Sequence, residues 1–259
     1  MEEIAPGYIL QRIYLRSCIR RWKKDGRSTF VEVGSGNGMN SQLFLTSGLK
    51  GIAFDLNSES CEKNVRRNKE HIDQGQFSVL NQDFLTEKNQ CKVDIIFSSM
   101  VIEHLNDKDV CRYFKKCKEC LKPGGLVACI VPANMRFWGI EDEIAGHYKR
   151  YTFECVEKLA STHSLKIAII TSLTYPLSNI LLRFSNRLVE KSERNKLRLN
   201  YGERTKLSGD RNVKFKTHFP SYMKVLLNEF TLYPFHLIQL LFKMNRNAMV
   251  IYTELQYEN

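Results

Sequence analysis

No run of about 18 or more uninterrupted apolar residues occurs in the 259-residue sequence, which argues against a membrane-spanning helix. The opening residues, MEEIAPGYILQ, carry acid where a secretory signal would carry positive charge. These absences read as a cytoplasmic chain. Acid is the scarcer charge: 28 Asp and Glu stand against 39 Lys and Arg, a formal net charge of +11. The eight cysteines are too few, in a chain this long, for the disulfide framework of a short secreted protein. Cys91 and Cys129 flank or occupy apolar runs, where cysteine acts as a small hydrophobe. Cys111, Cys117 and Cys120 invite a zinc reading through the tetrapeptide CKEC, but a second ligand pair at finger-like spacing is missing. Reduced thiols on a helix, and no metal, are therefore expected. What remains is ordinary for a globular protein, 43% hydrophobic and 26% charged, at a length that suits one domain with insertions.

The positive charge is uneven. Residues 183–216 hold eleven Lys or Arg against four Asp or Glu. Such an excess attracts phosphate, whether of nucleic acid, anionic lipid or a phosphorylated substrate. A solvated surface helix and loop accounts for it equally well.

Residues 8–24 space Ile9, Ile13, Leu15, Ile19 and Trp22 at helical intervals with Arg and Lys between them, an amphipathic helix. Short apolar runs follow at Phe30–Val33, Ile52–Phe54, Phe77–Leu80, Val93–Phe97 and Leu126–Val131, separated by helix-like segments near 38–47, 58–73 and 107–120. Strands alternating with crossover helices imply an α/β fold with a parallel sheet covered on both faces. A helix near 152–162 precedes a sixth strand at Leu165–Ile170, and a last strand-like run is Ala248–Thr253. The long stretch between these two exceeds what a connection needs. The expected division of the single domain, 1–259, is an N-terminal helix (1–28), a cofactor-binding core (29–132), an active-site segment (133–164) and a cap (171–245).

The first strand runs into Glu32, Val33, Gly34, Ser35, Gly36, Asn37 and Gly38. Glycines there let the backbone turn sharply and approach a ligand beyond the strand's carboxyl end. The third glycine comes one residue early for a dinucleotide fingerprint. The carboxylate of Glu32, two residues before the first glycine, suits the amino group of an amino-acid ligand better than a pyrophosphate. Asp55 ends the second strand, 21 residues after Gly34, where a carboxylate can accept from both ribose hydroxyls. Asp83 follows the third strand, placed to receive an adenine amino group, with Phe84 and Leu56 as apolar surface for the ring.

The segments VEVGSGNG, IAFDLN, NQDF, VDIIFSSMVIEHL and LKPGGLVACIVP together resemble the successive motifs of class I S-adenosylmethionine-dependent methyltransferases, over residues 29–132. The resemblance implies a Rossmann-like seven-stranded sheet whose last strand is antiparallel, S-adenosylmethionine as cofactor and S-adenosylhomocysteine as product. It places Glu32 and the glycine loop near the methionine part. It also implies that Ser98, Met100 and Glu103, with His104, line the reactive side. Ser35 stands where the family often has cysteine.

The stretch RFWGIEDEIAGHYKRYT, residues 136–152, gathers Trp138, His147, Tyr148, Arg150 and Tyr151 after the fifth strand, beside the expected pocket. It is similar to the ED-x-x-x-GH-x-R-RY segment of bacterial methyltransferases of the type 11 and type 12 groups, many of them found with glycan or glycolipid biosynthesis. Lys149 is a departure from that pattern. ERTKLSG (203–209) and YPFHLIQLLF (233–242) look like the same subgroup. His147 is the best candidate base or orienting group by residue type, with His104 behind it; Tyr148 and Arg150 are candidate partners. The acceptor so implied is a small molecule, a sugar or a lipid-linked glycan, methylated on oxygen.

Two other functions compete. A nucleic-acid methyltransferase would draw on the basic segment, but Ser98-Ser99-Met100-Val101 lacks the Pro-Pro-aromatic signature common after the fourth strand of enzymes acting on base amino groups. A non-catalytic cofactor-binding protein is the other. Leu173–Phe184 and Leu232–Met244 are apolar stretches beside the basic region. They read as core or dimer contact, or alternatively as a peripheral contact with the inner membrane face.

Overall fold

The computed structural model describes residues 5–87, 91–208 and 213–257. Helix α1 (Pro6–Lys24) begins with proline, whose missing N–H costs nothing at that position, and buries Ile9, Leu10, Ile13, Leu15, Cys18, Ile19 and Trp22. Then follow β1 (Thr29–Val33), α2 (Met39–Thr46), β2 (Lys50–Phe54), α3 (Ser58–Arg67), α4 (Lys69–Asp73), β3 (Phe77–Leu80), β4 (Val93–Ser99), α5 (Asp107–Cys120) and β5 (Leu121–Pro132). The chain continues through α6 (Ile140–Ala145), α7 (Phe153–Thr162), β6 (Leu165–Leu173), α8 (Leu177–Glu193), α9 (Tyr201–Ser208), α10 (Tyr233–Leu241) and β7 (Val250–Tyr257). The strands form one seven-stranded sheet in the order β3-β2-β1-β4-β5-β7-β6, with β7 antiparallel to both neighbours.

Strand periodicity divides the core in two. Side chains two residues apart share a face, so Val31, Ile96, Val127 and Cys129 meet Val110, Tyr113, Phe114 and Cys117 of α5 and Phe153 and Val156 of α7. The alternate residues Phe30, Ile95, Phe97, Ala128 and Ile130 meet α1 and α2 on the other side. There Phe44 lies edge-on to Phe30 and Phe97, ring centroids 5.1 and 5.0 Å away. Such contacts add about 0.5–1.5 kcal/mol each beyond burial.

Three expectations shift. The single helix of 58–73 is broken at Asn68, whose side-chain amide donates to Gly38 O at 3.2 Å and Asn64 Oδ1 at 2.8 Å. The last strand starts and ends later than Ala248–Thr253, because its polar end is used: Glu254 is buried and accepts from Trp22 Nε1 at 2.9 Å and from Arg21 and Tyr252, tying α1 to β7. The apolar stretches beside the basic region are core only in part. Leu232 joins Ile9, Leu10 and Ile13 in a buried cluster, with Leu177 packed against it. Ile180, Phe184 and Leu241 instead face solvent. Cys117 and Cys120 lie on the buried face of α5 while Cys111 is exposed, so the three thiols do not converge.

Candidate active site

The parallel strands end together. Val33 pairs with Phe54 and with Ser98, and Phe54 with Leu80, so the residues that follow share one edge of the sheet. The Phe54 carbonyl accepts from the amides of Gly34 (2.8 Å) and Ser35 (3.1 Å), folding the glycine loop back over β2. Gly34 has φ +69°, and a Cβ there would stand 2.4 Å from Val101 Cγ2; Gly38 has φ +79°, and a Cβ would stand 2.2 Å from Asn64 Oδ1. Both positions need glycine for conformation and for space. Asn64 also donates to Ser35 Oγ at 3.0 Å, so α3 braces the loop.

Asp55 accepts from Gly36 N at 2.7 Å through one oxygen and from Asn57 N at 2.9 Å through the other. Each oxygen of a carboxylate has a further lone pair, so both remain able to accept from hydroxyls. Burial raises its pKa against these amide bonds. Glu32 is buried under the loop, where Ser41 donates to it. Burial pushes its carboxyl up to about 8 against the hydrogen bonds of Ser41 and Asn40, and the Asp55 charge adds to the rise. Tyr8, from α1, donates to Asn40 Oδ1 at 3.1 Å. Tyr8, Ser41, Asn64 and Asn68 carried no sequence signal as site residues, although Asn64 and Asn68 are one helical turn apart.

Asp83 sits on the same edge and accepts from Leu85 N at 2.9 Å, with Leu56 half exposed. Phe84 is buried between Phe54 and Tyr113, ring centroids 5.4 and 6.0 Å away. The Ser98 hydroxyl accepts from Tyr113 OH at 3.1 Å and donates to Cys129 Sγ at 3.4 Å, both in the interior. Met100 has φ +55°, with its amide on Ile130 O at 2.8 Å, at the turn where β4 leaves the sheet.

The segment after β5 is an excursion pinned at its base. Ala133 bridges Tyr151, Asn134 N donates to Tyr151 O at 2.8 Å, and Tyr151 N donates to Pro132 O at 2.9 Å. Tyr151 OH reaches Ile102 O at 3.0 Å, holding the excursion against the turn after β4. Asp142, fully buried, is its hub. It takes Arg150 through two bonds, Nε on Oδ1 at 2.8 Å and Nη2 on Oδ2 at 3.0 Å, His147 Nδ1 on Oδ1 at 2.8 Å, and Gly139 N on Oδ2 at 2.9 Å. These donors hold its carboxyl below the usual range despite burial. Arg150 is braced also on Ala133 O at 3.3 Å.

His147 meets His104 edge-on, ring centroids 4.6 Å apart, and His104 Nδ1 faces Gly146 O at 3.3 Å. Burial, with the neighbouring His147, lowers His104 to about 3. Glu103 lies beside them, fully buried, with no hydrogen-bond partner on either carboxylate oxygen. Burial raises it to about 7, opposed chiefly by His147. The Tyr148 amide donates to Glu103 O at 2.8 Å while its ring is exposed. From the stretch between β6 and β7, Lys216 pairs with Glu141 and Arg204 donates to Glu143 O.

A family model described as a methyltransferase domain matches residues 8–167. The chain belongs to this methyltransferase family. No curated protein matches the sequence. Among solved structures, a candidate sarcosine dimethylglycine methyltransferase from Galdieria sulphuraria is similar over 94% of this chain and 85% of that one, at 14% identity and a TM-score of 0.56. Magnesium protoporphyrin IX methyltransferase (ChlM) from Synechocystis PCC 6803, with bound SAH, is similar over 65% and 79%, at 12% identity and a TM-score of 0.54. The StiE O-MT is similar over 96% and 74%, at 17% identity and a TM-score of 0.52. These likenesses show that the fold is the Rossmann-like methyltransferase fold.

Proposed function

We propose that the chain transfers a methyl group from S-adenosylmethionine to an oxygen of a small-molecule, sugar or lipid-linked acceptor, leaving S-adenosylhomocysteine. The observation that carries this reading is the meeting, at one sheet edge, of a glycine cradle too tight for any Cβ with the group of His104, His147 and the buried Glu103. The SAH in the ChlM structure supports the donor, and the StiE O-MT supports oxygen as the accepting atom. When bound, the donor supplies a methyl group made electrophilic by sulfonium charge.

Glu32 and the loop Gly34–Gly38 bind its amino-acid end, since a buried carboxylate gains most from an ammonium partner. Asp55 receives the ribose hydroxyls, and Asp83 with Leu56 holds the adenine. His147, oriented by Asp142, positions the acceptor and takes its proton through Nε2. Holding the acceptor in line supplies up to about 7–11 kcal/mol of the barrier reduction. A base with a suitable pKa adds a factor of roughly 10²–10⁴.

Lipid-linked acceptors are favoured over free ones by the stretch between β6 and β7. Phe230 is 88% and Leu241 82% exposed, with Tyr222, Val225 and Ile180 also exposed and the basic Arg183, Arg187, Lys224 and Lys243 on the surface of the same stretch. Among the described residues no helix is long and apolar enough to cross a membrane. The surface suits a peripheral contact with an anionic lipid interface.

Labelled-methyl S-adenosylmethionine, purified protein and an extract separated into lipid, glycan, RNA and small-molecule fractions test the proposal. Label should enter the lipid or glycan fraction with the wild type and not with Asp55→Ala. Label in RNA alone would replace this reading with the nucleic-acid one, and cofactor binding with no label in any fraction would favour a non-catalytic role.

A further inference from the structure

Glu103, His104 and His147 come from two separate segments, the turn after β4 and the excursion after β5, yet each places a ligand-type atom within 4.8 Å of the others'. Three independent features give this cluster the chemistry of a cation site. First, Glu103 is fully buried and neither carboxylate oxygen has a hydrogen-bond partner. A buried carboxylate left so is costly where it stays charged. Second, His147 Nδ1 is committed to Asp142 at 2.8 Å, which makes Nε2 the lone-pair nitrogen. The carboxylate behind the imidazole fixes tautomer and ring direction, as it does for metal-bound histidines. Third, His104 Nδ1 faces the Gly146 carbonyl at 3.3 Å, so its neutral ring also turns Nε2 into the ligand nitrogen. Arg150 and Gly139 hold Asp142 in turn, a supporting layer in which the backing of His147 is itself fixed.

We infer that Glu103, His104 and His147 bind one divalent first-row transition cation at the acceptor side of the site. Two imidazoles and one carboxylate select manganese, iron, cobalt, nickel or zinc over calcium or magnesium, and three protein ligands leave positions open. The sequence expectation of a metal-free chain followed the spacing of the cysteines alone. The inference rests on the methyl-transfer reading for its role and deepens it: an acceptor oxygen occupies an open position, and its O–H becomes more acidic through coordination. The proton passes to solvent. The O–CH3 bond forms as the S–CH3 bond breaks, and the bonding pair stays on sulfur. With the cation in place His147 is a ligand, and the base of the ligand-free reading is replaced by the lowered acidity of the bound hydroxyl.

The test uses cobalt(II) as probe on the full chain stripped with chelator. Equilibrium dialysis with elemental analysis and the visible ligand-field spectrum report binding without reference to activity. One cobalt per chain is expected, with affinity falling about 10- to 100-fold in Asp142→Asn, the supporting-layer variant, and site occupancy lost in Glu103→Gln and His147→Gln. Glu103→Gln removes only an unpartnered charge, so its melting temperature should hold or rise, and it serves as the folded control. Binding of S-adenosylmethionine, measured separately by calorimetry, should survive removal of the cation. No cobalt uptake by the wild type would overturn the proposal, as would uptake equal in wild type and Glu103→Gln, or a thiolate charge-transfer band assigning the metal to cysteine. Loss of S-adenosylmethionine binding in the untreated wild type would instead defeat the methyl-transfer reading, so the two failures are distinct.

Discussion

One oxygen of Asp142, Oδ1, accepts from both His147 Nδ1 and Arg150 Nε, each at 2.8 Å. The orientation of the candidate catalytic imidazole and the pairing of a buried guanidinium thus depend on a single buried carboxylate. Removing it strands Arg150, which is 6% exposed. Breaking a buried pair from one side costs about 3–5 kcal/mol, so Asp142→Ala should lower the melting temperature severely. Asp142→Asn, which keeps one acceptor oxygen, should lose less stability while methyl transfer falls. Equal melting temperatures for wild type and Asp142→Ala would refute the hub.

Gly38 and Gly26 separate strain from space. Both have left-handed backbones, φ +79° and +80°, but a Cβ at Gly26 meets nothing within 4 Å while one at Gly38 meets Asn64 Oδ1 at 2.2 Å. Gly26→Ala should therefore cost only the conformational strain, about 1–2 kcal/mol, and leave cofactor binding intact. Gly38→Ala must also displace Asn64, which holds Ser35, and should weaken S-adenosylmethionine binding more than tenfold, a drop of about 1.4 kcal/mol or more. Calorimetry on both variants measures the contrast; equal affinities would show that the loop does not hold the cofactor.

Much of this site was legible because strand ends are legible. Once β1 to β4 are recognised as parallel, Gly34, Asp55 and Asp83 must share an edge whatever the side chains do. Side-chain direction is the part that strand ends leave open. The Ser98 hydroxyl turns to Tyr113 of α5, and the Phe84 ring packs against Phe54 of β2. Asp142 stands in the ED-x-x-x-GH-x-R-RY pattern, but a pattern does not show that it orients His147 and Arg150 together, since that comes from the excursion closing on itself eight residues later. Apolar composition misled at 173–244 for a related reason. A helix buries one stripe, and α1 offers room for Leu232 and Leu177 but not for Phe230 or Leu241.

Glu32 gives the cofactor site a pH dependence. Its carboxyl is raised to about 8 by burial, against about 4.3 for an unfolded glutamate. A group raised in the folded state contributes stability fully below the unfolded value and loses it as pH rises through the folded one. The ligand-free protein should therefore lose stability relative to Glu32→Gln between pH 5 and about 8. The charge of Asp55 raises Glu32 further and burial raises Tyr8, so neither opposes this trend. An ammonium ligand reverses the preference, so S-adenosylmethionine binding should release a proton below pH 8 and tighten as pH rises toward it. Calorimetry in buffers of different ionisation enthalpy counts that proton; a count of zero at pH 6.5 would remove Glu32 from the ammonium site.

The exposed apolar residues between β6 and β7 predict where the enzyme works. Burying Phe230 and Leu241 in a lipid interface would gain about 1.5–3 kcal/mol each, and each Lys or Arg near an anionic surface adds about 1 kcal/mol. Neither contribution alone holds a protein firmly, but together they bring micromolar binding within reach. Sedimentation with vesicles containing phosphatidylserine should therefore carry the wild type down at low salt. High salt should release part of it, because it screens charge and leaves apolar burial intact. Phe230→Asp with Leu241→Asp should abolish the salt-resistant part while leaving S-adenosylmethionine binding unchanged, both residues lying far along the chain from the glycine loop. Sedimentation of wild type and double variant in equal amounts, or of neither, would show that the patch meets no lipid, and the acceptor should then be sought among free sugars and small molecules.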